Sequence, residues 1–329
     1  MDHGIGGNVA GRSGGAFVKE FFRDRELNLR KPLKLDNLDG FWDLLLEDHQ
    51  RSGAGKSRLS AATADYPLFF RGQSNEHHGI STSLYRFIQS ETKDEITENL
   101  MAKVEAAILA DARSRGLGKG MSDGHLLMLL QHYGSPTRLL DVSTGPMEAL
   151  FFATEGNDAF DGRMFIFKVN DQRPEWVIDR DLADGPLPWT PSTSTGRNAR
   201  SDWTEEVSLL APLPIDPRMG AQESRFLIGG LIRASADRNI HFQGHNNFLD
   251  REELPQITTL SVAFLKGPTK LATTPWHAIG WSIRIPAAWK PELRDRLASI
   301  DITRDSMYPP FATVQWGSAQ AGRAALHTV

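Results

Sequence analysis

Residues 123–169 read DGHLLMLLQHYGSPTRLLDVSTGPMEALFFATEGNDAFDGRMFIFKV. Leu126, Leu129, Leu130 and Tyr133 recur at helical spacing, which predicts a helix from about Asp123 to Tyr133. Gly134 and Pro136 end it. A second helix opens near Pro146, where proline suits the first helical position, and continues through Ala149, Leu150, Phe151 and Phe152. After Gly162 the character changes, and Met164 to Val169 reads as a strand. Helix gives way to strand inside this one window.

The rest of the chain follows the same division. Upstream, Leu38 to Gln50 has Phe41, Trp42, Leu45 and Leu46 on one helical face. Arg51 to Ala64 is small and polar and reads as a loop. Tyr66 to Phe70 reads as a short buried strand running into Arg71 and Gly72. Thr92 to Arg115 reads as the clearest helix, with Thr92 and Glu95 at capping-box spacing and Ile96, Leu100, Val104, Ala107 and Ile108 as its apolar stripe. Gly116 and Gly118 stop it. Downstream, Val207 to Leu210, Phe226 to Ile232, Leu260 to Leu265 and Ile279 to Ile285 read as strands. Pro191 to Ser201 reads as a loop, and Trp289 to Ile300 as a last helix before an irregular end. Early helices and late strands predict an α+β fold with a mixed or antiparallel sheet. One compact domain over residues 16–317 is expected, flanked by a glycine-rich arm at 1–15 and a tail at 318–329.

Composition sets the outer limits. Of 329 residues, 40% are hydrophobic and 24% charged, enough for a sizeable core. The formal net charge of −4 gives no global basic footprint for nucleic acid. The chain has no cysteine, which excludes disulfides, zinc–thiolate sites, iron–sulfur clusters and a thiol nucleophile, and fits the cytoplasm. No apolar run reaches the roughly 20 residues of a membrane helix, and the start lacks the apolar stretch of a signal peptide.

Several partial motifs carry no chemistry. Gly55-Lys56-Ser57 resembles the end of a phosphate loop, but Gln50 stands where that motif needs glycine. His77 and His78 are adjacent and point to opposite faces of an extended backbone. His125 and His132 lie roughly 10 Å apart along one helix, too far to share an ion, so no metal site is expected.

Two polar segments stand between apolar runs. The first is Phe70-Arg71-Gly72-Gln73, followed by Ser83-Leu84-Tyr85-Arg86. Arg71 ends an apolar strand, where a rigid charged fork suits a phosphate or a ribose diol, and Gly72 would let a ligand approach the backbone. Gln73 both donates and accepts. The alternative is an arginine buried against a carboxylate such as Asp141. The second segment runs from Gln131 to Asp141. Its density of polar groups requires mutual pairing or a ligand. Arg138 with Asp141 is the structural option, whereas His132 at a helix end is exposed and tunable.

These residues resemble the FRG family, named for the Phe-Arg-Gly triplet. The Gln131-His132-Tyr133-Gly134-x-Pro136-Thr137-Arg138-Leu139-Leu140-Asp141 run is its second hallmark, and Pro146 with Ala149-Leu150-Phe151-Phe152-Ala153 also fits. The likeness covers about Phe41 to Ala153. It weakens later, where Ile228 and Ile232 replace an expected glutamine and aromatic on either side of a retained Gly230. Met307-Tyr308-Pro309-Pro310 resembles the family's terminal Leu-Phe-Pro-Asp.

The resemblance implies an accessory or effector protein of a bacterial toxin or antiphage setting. A weaker likeness to ADP-ribosyltransferases implies NAD as substrate, held by Arg71. Gly72, Gln73, Tyr133, Thr137, Arg138 and Asp141 would complete the binding site. Ser143-Thr144 or Phe151-Phe152 would form the second element. Arg71, His132, and Glu206 or Glu223 would form the catalytic set, because cleaving the nicotinamide–ribose bond develops an oxocarbenium charge that a carboxylate stabilises. For either glutamate the alternative is a solvated strand-edge residue. The target would be RNA, DNA or protein, with a neutralising or regulatory partner and no membrane. A non-catalytic nucleotide- or nucleic-acid-binding module is the competing expectation.

Overall fold

A computed structural model describes residues 14–27, 37–51, 57–65, 67–169, 206–210, 224–232, 249, 252–268 and 276–308. Among these, the first half contributes α1 (Gly14–Arg23), α2 (Leu38–Arg51), α3 (Arg58–Ala62), β1 (Phe69–Gln73), α4 (Ser83–Glu91), α5 (Glu98–Ser114), α6 (Asp123–His132), β2 (Leu140–Ser143) and α7 (Pro146–Thr154). The second half contributes β3 (Gly162–Val169), β4 (Val207–Leu210), β5 (Ser224–Gly229), α8 (Leu254–Ile257), β6 (Val262–Phe264), β7 (Ala278–Ile285), α9 (Lys290–Ala298) and α10 (Arg304–Met307).

The seven strands form one mixed sheet in the order β4-β5-β2-β1-β3-β7-β6, and the α+β class holds. Each neighbouring pair is antiparallel except β6–β7. β3 explains the depth of the core, because all eight of its residues are buried. Met164, Phe165, Ile166 and Phe167 pack between α1 and the helices on the other face, with Phe22 edge-on to Phe165 at 5.0 Å. Among the described residues no helix is long and apolar enough to cross a membrane.

Early helices and late strands proved too simple a division. β1 and β2 come from the helical half, yet they sit near the centre of the sheet. β2 escaped the sequence reading because the polar Asp141 interrupts its apolar residues. Helix α3 lies inside the stretch read as loop. Its capping box joins Ser57 and Ser60, with Ser60 N–H donating to Ser57 Oγ at 3.0 Å. The residue rejected as part of a phosphate loop is thus a helix cap. The long early helix begins at Glu98 with Thr97 as its cap, and Thr92 instead closes α4. The strand expected at Phe226–Ile232 runs from Ser224 to Gly229. Of the expected arm, Gly14 and Gly15 already belong to α1; residues 1–13, the 191–201 loop and the 318–329 tail lie outside the described residues.

Arg138 corrects a second expectation. It does not pair with Asp141. Its Nη1 donates to Glu98 at 2.7 Å and its Nε to Glu105 at 2.8 Å, both on α5. Glu98 also accepts the Leu231 N–H at 2.7 Å. Arg138 is completely buried, and both partners are nearly so. Burial opposes its charge, but Glu105 and Glu98 outweigh burial and hold its pKa above the ordinary value. This triad locks α5 and residue 231 to the approach of β2, so Arg138 is a structural residue and not a ligand contact.

Candidate functional site

Arg71 leaves β1 beside Asp141 of β2. Its Nη1 donates to the Asp141 carbonyl at 2.6 Å and lies 3.8 Å from the Asp141 carboxylate. The carboxylate Oδ2 accepts from Gln131 Nε2 at 2.6 Å, and Gln131 Oε1 accepts from the Thr137 hydroxyl at 2.6 Å. Leu139 N–H donates to that same hydroxyl oxygen at 3.2 Å. The backbone donor fixes the hydroxyl as donor toward Gln131, and this in turn aims the glutamine NH₂ at Asp141. The spacing of Gln131, Thr137 and Asp141 is therefore the spacing of one relay.

A second clamp joins the two segments. Ser83 at the start of α4 accepts the Thr137 N–H at 3.0 Å and donates to the Thr137 carbonyl at 3.1 Å. The turn between Gln131 and Thr137 is a Schellman cap. Gly134 has φ +79, its N–H donates to Gln131, and Ser135 N–H donates to Leu130. Gly134 is thus needed for the left-handed cap.

Gly72 serves packing first. A Cβ there would lie 1.8 Å from the Ala149 carbonyl and 2.5 Å from Ala153 N. Helix α7 rests on the bare glycine, and Gly162 receives the next turn in the same way, with a virtual Cβ 2.2 Å from the Ala153 carbonyl. The expectation that Gly72 mainly opens the backbone to a ligand is replaced by helix–strand contact, although the residue does border both cavities described next.

Two cavities meet at Arg71. The first, about 300 Å³, is walled by Phe70, Phe152 and Tyr308 on its aromatic side and by Gln131, His132, Asp141 and Ser143 on its polar side. The Asp141 side chain is 50% exposed, so its carboxylate faces open space while Arg71 is only 21% exposed. The second cavity, about 770 Å³, carries Arg71, Gln73, His77, His78, Arg86 and Glu155. Arg71 Nε is buried without a partner, and Nη1 carries the one hydrogen bond of the guanidinium among the described residues. Burial, opposed by Asp141 and reinforced by Arg86, holds Arg71 below its usual pKa. Burial lowers His78, and repulsion from Arg86 and His77 lowers it further.

The structure brings together Arg71, Gly72, His132 and Asp141 around the first cavity, and Arg71, Gly72 and Gln73 around the second. Gln73 donates to the Gly79 carbonyl at 2.8 Å, which ties down the intervening loop. Tyr133 borders neither cavity; it is 73% exposed, edge-on to His132 at 5.4 Å. Thr137 is fully buried and acts through Gln131. Glu206 takes the Ser208 hydroxyl at 3.0 Å and lies at the far side of β4. Leu210 is aligned with Phe226, and Phe226 with Asp141. Glu206 is thus on the order of 16 Å from Asp141, four residues along and two strands across. Glu223 lies outside the described residues. Phe152 was one candidate for the second element, whereas Arg86 and Tyr308 stood in segments singled out from sequence without a role in the site. Arg86 and Gln89 share a face of α4 opposite buried Leu84 and Ile88, a signal that becomes visible once Ser83–Glu91 is recognised as a helix.

The stretch from residue 66 to residue 162 matches the family model of the FRG domain. The chain thus carries an FRG domain over that stretch, which includes both hallmark segments, β1, β2, α4 to α7 and the first residue of β3. No curated protein and no solved structure matches the chain.

Proposed function

We propose that the Arg71 site binds a phosphorylated nucleotide of the NAD class, and that the protein is an NAD-dependent ADP-ribosyltransferase-like effector. The observation that carries the binding reading is the half-used guanidinium of Arg71. Nη1 alone has a partner among the described residues, and an anionic ligand at the partly exposed end of the fork would add charge-assisted hydrogen bonds. The aromatic wall of Phe70, Phe152 and Tyr308 suits a base or nicotinamide ring beside it.

The catalytic part rests on Asp141, a half-exposed carboxylate in the same cavity as the arginine. In such a reaction the C1′–N bond breaks and its electron pair leaves with nicotinamide. Asp141 stabilises the oxocarbenium charge, and the nucleophile of a nucleic-acid or protein acceptor attacks C1′. His132 on the cavity wall would accept the nucleophile's proton. Asp141 therefore takes the role that the resemblance implied for Glu206 or Glu223. The toxin or antiphage setting and a neutralising partner remain what the resemblance implies.

The test is NAD binding by calorimetry and nicotinamide release, with bacterial lysate or RNA as acceptor. Arg71→Ala is expected to weaken NAD at least tenfold, and Asp141→Asn to keep binding while losing release. NAD bound equally by wild type and Arg71→Ala would sink the binding reading. Binding without release by wild type would leave a nucleotide-binding module.

A further inference from the structure

We infer that the second cavity is a diphosphate subsite in which Arg71 and Arg86 hold two adjacent phosphoryl groups, while the nucleoside part of the ligand occupies the first cavity. This rests on the nucleotide reading above, and it assigns Arg86 a role in choosing the ligand.

Charge is segregated across Arg71. The first cavity carries the open carboxylate of Asp141, which repels a phosphate. The second carries Arg86, His77 and His78 together with Arg71. Among the described residues its one acid, Glu155, is occupied: Arg304 Nη1 sits 2.7 Å from Oε1, and the Tyr308 hydroxyl 3.4 Å from Oε2. A phosphate is therefore favoured on the Arg86 side of Arg71 and disfavoured on the Asp141 side.

Arg86 is held in place for this task. Its Nη1 donates to the Ser81 carbonyl, which anchors the guanidinium at the open rim while the rest of the fork stays available. Repulsion from Arg86 contributes to the lowered pKa of both Arg71 and His78, so the two guanidiniums and the imidazole share one positive field. Such a field is relieved by an anion of more than one charge. One phosphate can satisfy Arg71 alone; a diphosphate engages both forks, each through charge-assisted hydrogen bonds. Gln73 and Gln89 border the same space as neutral partners.

The probes are AMP, ADP, inorganic phosphate and pyrophosphate, titrated into the full chain at low ionic strength. Wild type is expected to bind ADP roughly tenfold or more tightly than AMP, and pyrophosphate is expected to displace ADP where phosphate does not. Arg86→Gln should bring the ADP-to-AMP ratio to about twofold or less, and an unchanged Tm certifies the fold. Should Arg86→Gln lose its fold with the Ser81 anchor, Gln89→Glu, on an exposed face of the same helix, must weaken ADP more than AMP. Equal binding of AMP and ADP by wild type would overturn the subsite and leave the nucleotide reading standing, as would an unchanged ratio in Arg86→Gln or Gln89→Glu. Failure of wild type to bind any of the nucleotides would overturn the nucleotide reading itself.

Discussion

Replacing Arg138 by methionine keeps much of the side-chain volume and removes the charge that two buried carboxylates share. Glu98 and Glu105 would remain at 7% and 1% side-chain exposure with no cation between them. Deleting one partner of a buried pair costs about 3–5 kcal/mol. At roughly 2.1 cal/mol/K per residue, 329 residues unfold with about 0.7 kcal/mol/K, so Tm should fall by roughly 4–7 °C. Differential scanning calorimetry at neutral pH reads this directly. Protonating either glutamate removes a charge that the arginine no longer balances, so the deficit should shrink in acid. Arg138→Met combined with Glu98→Gln and Glu105→Gln should recover much of the lost Tm. An unchanged Tm in the single variant, or a triple variant no more stable than the single, would refute the triad as the lock between α5 and β2.

Other substitutions test the remaining arguments. Gly72→Ala drives a methyl into the Ala149 carbonyl and should cost roughly 3 kcal/mol or more, read as lowered Tm or insoluble protein; a well-folded variant would contradict the packing role. Thr137→Val removes the donor that orients Gln131, so stability should drop by about 1–2 kcal/mol in urea titration and ligand affinity at Arg71 should weaken with it. Asp48, buried and accepting from Ser57 at 2.7 Å, is held above its ordinary value of 3.8 by burial, with the Ser57 bond opposing. The folded chain holds this proton more tightly than the unfolded chain. Its contribution is thus full below that ordinary value and lost as pH rises through the folded one. Asp48→Asn should flatten that part of the stability–pH curve, and an unchanged slope would show that the carboxylate titrates normally.

The helices with strong apolar periodicity and clear stops were legible in the sequence. Leu38–Arg51, Asp123–His132 and Pro146–Thr154 lie within a residue or two of their expected bounds, because periodicity and caps are local properties. The late strands were legible for the same reason. The paired hallmarks at 70–73 and 131–141 pointed to one place in the fold, where β1 pairs with β2, since dense polar groups between apolar runs demand partners wherever the chain folds. Partner choice was not legible. Arg138 lies three residues before Asp141 and yet reaches Glu98 and Glu105 from a helix more than thirty residues upstream. Gly72 could be read as an opening for a ligand until α7 was laid across it. Glu206 stood beside a strand as a catalytic acid would, but sheet order puts β4 two strands from β2. Local pattern determines which segments coil or extend, because backbone hydrogen bonds and side-chain periodicity act over a few residues. Strand order and helix docking alone decide which charges meet, because an ion pair is set by distance in space.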